Sequence, residues 1–167
     1  MGKRHTVYRI YYGDQVVYVG RTNQPLQSRI RGHLFAKPMH RTLSIDLVSK
    51  VEYAEFNTEA DMNLYEIYYI LLLHPPLNVD DKTKDFPTVQ LPDIEFKPAI
   101  FKNWDKWKQQ IKILEEEDNR ARKRMREIPE LLRILRSSYH MGEITEDEYY
   151  QKKEKLQDEL QTIHKRY

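Results

Sequence analysis

Two tyrosines, an arginine and histidine four residues apart, and one isolated carboxylate are the side chains in this chain whose types and spacing could do chemistry together. Tyr8 lies in the run Thr6-Val7-Tyr8-Arg9-Ile10-Tyr11-Tyr12 and Tyr18 in Val16-Val17-Tyr18-Val19-Gly20, both rich in β-branched and aromatic residues. Gly13-Asp14-Gln15 separates them, so the pair reads as a β-hairpin. A loop of these three residues pairs Tyr12 with Val16, Ile10 with Tyr18 and Tyr8 with Gly20, which sets Tyr8 and Tyr18 on one sheet face. A two-residue loop would separate them. Arg29 and His33 stand at i and i+4, so on a helix they share a face and can act on one ligand. Glu66 is the only charge in Leu64–Leu73 and has no cation at i±3 or i±4. A carboxylate buried without a partner costs several kcal/mol, so something outside its helix must neutralise it. An arginine would do so, and so would a divalent metal, for which a carboxylate is a suitable oxygen ligand.

The elements that must position these groups are legible around them. Asn23 and Pro25 suit a helix start, and Leu26, Ile30 and Leu34 recur as a core-facing stripe beside Arg29 and His33. Val48–Phe56 predicts a third strand. Thr58 followed by Asp61 predicts the cap of a helix that carries Glu66. Five of the eight prolines then fall between Pro75 and Pro98, which excludes helix interior and central strand. The expected plan is an α+β domain over 1–80 with a small three-stranded antiparallel sheet, a proline-containing linker over 81–98, and a helical region over 99–167.

Composition narrows the classes. The 167 residues contain no cysteine, which removes disulfides, thiolate-bound metals and thiol nucleophiles. No apolar run reaches the roughly 18–20 residues that span a bilayer, and the first residues lack a signal-peptide stretch, so a cytoplasmic protein without a membrane anchor is expected. The net charge of +2 hides an asymmetry: residues 1–50 hold nine Lys/Arg and two Asp/Glu, while residues 51–100 hold three and ten. Eight of the twelve tyrosines precede residue 70. A surface rich in tyrosine and arginine suits phosphates and bases.

The order Thr6-Val7-Tyr8, Tyr18-Val19-Gly20, Arg29 with His33, Glu66 and Asn78 resembles the GIY-YIG nuclease domain, found in certain homing endonucleases, some restriction enzymes and the excision-repair nuclease. The resemblance covers about residues 5–80, and its most specific pieces are Tyr18-Val19-Gly20-Arg21-Thr22 and Arg29-Ile30-Arg31-Gly32-His33. It departs at the first triplet, which lacks the glycine but keeps the tyrosine. The resemblance implies a site on one sheet face and a metal-dependent DNA endonuclease. Tyr8 would take a proton from the attacking water, directly or through a neighbour, and Tyr18 would bind the scissile phosphate or orient the water. Arg29 would stabilise the transition-state charge, His33 would assist the base or contact phosphate, and Asn78 would tie the site together. Glu66 would bind one Mg²⁺ or Mn²⁺. Arg21, Arg31 and Arg41 would contact DNA. Because a tyrosine with a reference pKa of about 10 is a poor base, the cations of the first half are expected to favour its phenolate.

In the tail, residues 99–128 predict a long charged helix. Its cations Arg120, Arg122, Lys123, Arg124 and Arg126 follow the acidic run 115–118, which favours intrahelical pairing over DNA contact. Beyond Pro129, Gly142 and the Thr145/Glu148 capping box predict a helical hairpin. Residues 130–160 resemble the SHOCT module, which is often appended to other bacterial and phage domains. That resemblance implies interaction or oligomerisation, through a homodimer or a protein partner. The rival reading keeps the nuclease scaffold as an inactive DNA-binding or adaptor protein that acts through this tail.

Overall fold

The computed structural model describes residues 4–35, 43–78 and 85–166. In chain order they form β1 (His5–Tyr12), β2 (Gln15–Thr22), α1 (Leu26–Phe35), β3 (Val48–Phe56), α2 (Glu59–Leu73), β4 (Lys97–Pro98), α3 (Trp104–His140) and α4 (Glu146–Arg166). The sheet order is β2-β1-β3-β4, antiparallel throughout. The three expected strands are therefore joined by a fourth, in which Pro98 and Lys97 pair with Glu52 and Tyr53. Proline is tolerated there because an outermost strand need not donate to a further neighbour.

The hairpin reaches the expected pairing by a different route. Tyr12 pairs with Gln15 across a two-residue turn, Gly13-Asp14, in place of the three-residue loop. Gly13 has φ +56°, the positive value that a type II′ turn requires at its first central position. The register then shifts between Ile10 and Tyr11, so Tyr11 pairs with Val16, Ile10 with Tyr18, and Val17 is the extra residue of a bulge. Turn and bulge cancel in parity. Tyr8 and Tyr18 consequently end on one face, as the longer loop would have placed them.

Two apolar layers sandwich the sheet. On one face Tyr8 and Ile10 pack with Ile30 and Leu34 of α1 and with Trp107 and Ile111 of α3. On the other, Val7 and Val19 pack with Met62, Tyr65, Tyr69 and Ile70 of α2. Helix α2 begins where its cap predicts, with the Thr58 hydroxyl accepting from the Asp61 amide at 3.1 Å. It ends at His74, in the left-handed conformation (φ 44°), whose amide donates to the Ile70 carbonyl.

The chain divides into two compact units, 1–111 and 112–167. The segment expected as a linker over 81–98 is thus part of the first unit: Leu91, Ile94 and Phe96 pack against the α2 layer. Residues 79–84 of that segment lie outside the described residues. The second unit is a helical hairpin. Helix α3 runs unbroken through Pro129, where the sequence suggested a boundary. An interior proline costs a helix about 3 kcal/mol, and here the helix continues along a partner. Arg124 forms a bidentate pair with Glu159 of α4 at 2.6 and 3.0 Å. The capping box forms as expected: the Thr145 amide donates to Glu148 at 2.9 Å and the Glu148 amide to the Thr145 hydroxyl at 3.3 Å. Arg122 pairs with Asp118 and Lys123 with Glu127, the intrahelical pairing expected of this charged run.

A candidate active site

The site begins with a contact between β1 and α1. The Tyr8 hydroxyl and His33 Nε2 lie 2.5 Å apart, both side chains buried. His33 is brought there by its own helix, because Ile30 and Leu34 anchor α1 against the sheet and leave Arg29 and His33 on the adjoining face. Tyr18 completes a triangle of rings, with centroids 6.1 Å from Tyr8 and 5.3 Å from His33. Arg29 lies within hydrogen-bonding reach of Tyr8.

Gly20 makes this closeness possible. A Cβ there would sit 2.6 Å from the Tyr8 hydroxyl and 2.8 Å from the Tyr18 ring, well inside van der Waals contact. Position 20 lies directly across from Tyr8 in the ladder, so the glycine of the second triplet is the floor on which the first tyrosine rests.

Electrostatics distinguish the two partners of the central hydrogen bond. Burial, then Tyr18, push Tyr8 well above the ordinary tyrosine range, against the opposing pull of Arg29. The expectation that surrounding cations would favour the phenolate is therefore corrected: desolvation outweighs them, and the resting group is the phenol. Burial and the neighbouring Arg29 charge lower His33 to about 4. At neutral pH the imidazole is uncharged, and an uncharged Nε2 can accept the phenol's proton.

Glu66 comes from the other layer, on α2, so the site draws on both sides of the sheet instead of one face alone. Its carboxylate acts electrostatically on Tyr8 and Arg29. It also forms an ion pair with Arg21 Nε at 3.2 Å, which supplies the external neutralising group that the sequence demanded. Arg21 is held further by Asn63, at 2.7 Å. Asn78 is buried, and both ends of its amide are used on one residue of β2: it accepts from the Val19 amide at 2.9 Å and donates to the Val19 carbonyl at 2.8 Å. Its place is therefore beside the backbone of the second triplet. Arg31 is exposed, its guanidinium 4.8 Å from the Phe35 ring centroid. Arg41 lies outside the described residues.

The structure thus brings together Tyr8, Tyr18, Arg29, His33 and Glu66, with Asn78 bracing from behind. Two participants escaped the sequence reading. Asn63 steers Arg21, and Leu77 donates to the Val17 carbonyl at 3.0 Å alongside the Asn78 contacts. Leu77-Asn78 carries no local strand pattern, so only the fold reveals that it pairs with β2.

Among the described residues, no three His, Cys, Asp or Glu side chains converge. One carboxylate nevertheless fits a magnesium-class ion, which keeps much of its water and draws other ligands from substrate phosphates. It does not fit a zinc-type cage.

Fold and site together define a small α+β domain that sets two hairpin tyrosines against an arginine–histidine helix and a single carboxylate. Compared with protein families, residues 4–78 match the GIY-YIG catalytic domain. The matched stretch contains every residue of the site from Tyr8 to Asn78 and ends before β4 and the tail. The match points to nuclease chemistry. No curated protein and no solved structure matches the chain. Among the described residues, no helix is long and apolar enough to cross a membrane.

Proposed function

We propose that the first unit is a metal-dependent DNA endonuclease. The observation that carries this reading is the buried Tyr8–His33 hydrogen bond between a phenol and an uncharged imidazole. As water attacks the phosphorus, Tyr8 takes its proton while passing its own to His33 Nε2. The relay needs no free phenolate and leaves His33 as the final proton acceptor. Arg29, within hydrogen-bonding reach of Tyr8 and open to solvent, offers a planar cation to the non-bridging oxygens as charge builds on them. Tyr18 donates its hydroxyl to the same phosphate. Glu66 would hold one Mg²⁺ or Mn²⁺, which when bound polarises a phosphate oxygen and stabilises the leaving group. Arg21, paired with Glu66 at 3.2 Å, orients that carboxylate, and Arg31 adds a contact to the DNA backbone. The tail would supply association with a second copy or a protein partner, as its resemblance to the SHOCT module implies.

Nicking of supercoiled plasmid tests the reading. Tyr8→Phe, Arg29→Ala and Glu66→Ala should each lower the rate by about 10²–10³-fold with the fold retained by circular dichroism. Wild-type nicking by Glu66→Ala in Mg²⁺ or Mn²⁺ would remove that residue from the site. The Arg21–Glu66 ion pair also favours the rival, in which the carboxylate is structural and the scaffold only binds. Binding without cleavage across several metals and DNA sequences would decide for it.

A further inference from the structure

The seam between α3 and α4 opens into a groove of about 680 Å³ whose cations are Arg133, Arg136 and Lys153, with His140 beside them. Among the described residues, no carboxylate lines it. This is unusual within residues 112–167, where basic and acidic residues are equal in number, thirteen of each. The remaining walls are largely aromatic. Tyr139 and Tyr149 stack across the seam, with centroids 4.8 Å apart and planes at 18°. Tyr150 stands beside Tyr149 and is 54% exposed. Lys153 Nζ lies 5.6 and 5.8 Å from the Tyr149 and Tyr150 ring centroids, which holds the ammonium over the aromatic floor. Arg133 is tied to Glu130 outside the groove at 2.7 Å, whereas Arg136 lines the groove and is exposed.

We propose that this groove binds a nucleic-acid strand, with Arg136 and Lys153 on consecutive phosphates and Tyr150 as a stacking surface for an unpaired base. Charge complementarity selects the occupant. A groove lined by cations without a carboxylate favours a polyanion, and exposed aromatic faces between the cations favour one whose charges alternate with flat rings. The opposite groove of the same hairpin differs in both respects: it carries Glu159 and is walled by Leu131, Ile134 and Leu156. The site is separate from the tyrosine–histidine centre, and its binding needs neither metal nor cleavage.

Fluorescence anisotropy of labelled oligonucleotide with the full chain in EDTA tests the proposal without interference from hydrolysis. Arg136→Glu/Lys153→Glu should weaken binding at least tenfold and flatten the dependence of log Kd on log salt by about 1.4–1.8, the share of two phosphate contacts. The milder Arg136→Gln/Lys153→Gln should show the same change in slope at smaller amplitude and guards against misfolding. Tyr150→Ala should weaken single-stranded binding about tenfold while sparing duplex. Binding is read in EDTA, where no cleavage occurs, so failure here and failure of the nuclease reading are distinguishable. Unchanged affinity and slope in both double variants would overturn the proposal. So would retained DNA affinity with a change of sedimenting species, which would make the groove a protein interface.

Discussion

Tyr8 and His33 show how burial redistributes acid–base roles. An exposed tyrosine flanked by cations would drift toward its phenolate, but this one is enclosed, so it rests as the phenol. The same burial has a thermodynamic consequence. The unfolded imidazole titrates near 6.5 and the folded one near 4, so between these values the unfolded chain binds more protons. Stability from this group is fully present above pH 6.5 and is lost as pH falls toward 4, by on the order of 3 kcal/mol. Thermal melts of wild type and His33→Gln over that range should converge as pH falls, because the glutamine has no proton to gain. Gly20 gives a steric test. Gly20→Ala should destabilise the domain by about 1–3 kcal/mol through its collision with Tyr8 and depress nicking more than its urea midpoint alone accounts for. At this scale the sequence was informative about identities and mute about environment: residue types and spacing singled out Tyr8, Tyr18, Arg29, His33 and Glu66, but the protonation state of the phenol depends on desolvation, which no spacing encodes.

Elements were legible where their signals are local. The stripe Leu26, Ile30, Leu34 and the Thr58 cap each predicted a helix that forms, and β3 spans Val48–Phe56 as read. The hairpin shows the limit of such reasoning. Loop length and bulge are separate choices that compensate each other, so the facing of Tyr8 and Tyr18 was right while the turn was not. Pro129 is a second limit. Its local penalty is real, but packing along a helix of 37 residues is nonlocal and prevails. Asn78 belongs to this scale because it acts through the backbone of β2. Asn78→Ala removes both contacts to Val19 at once and should cost about 1–3 kcal/mol. Amide exchange of Val19 should accelerate more than that of Val7 in β1, whose partners are all backbone. Equal acceleration at both would show general destabilisation instead of a brace on β2.

For the whole molecule, composition and proline content marked a boundary at 81–98, whereas the compact unit extends to Ile111. The reason is that Trp107 and Ile111 are only 3% and 5% exposed and sit in the core with Tyr8 and Ile10. The charged helix expected over 99–128 did not announce which core its first turns enter. A fragment ending at residue 98 should therefore be less stable than one ending just past Ile111, by about 3–5 kcal/mol or more for the missing indole, measured by urea unfolding. Comparable midpoints would show that the first turns of α3 are dispensable. The flanks of the sheet carry a further implication. β2 is met along its outer side by Leu77 and Asn78, and β3 by the two-residue β4, whose Pro98 has no amide to offer. Less open backbone is left to template a strand from another chain, so a protein built around a tyrosine-rich β-hairpin has its edges partly covered, on one side by the same two residues that brace β2.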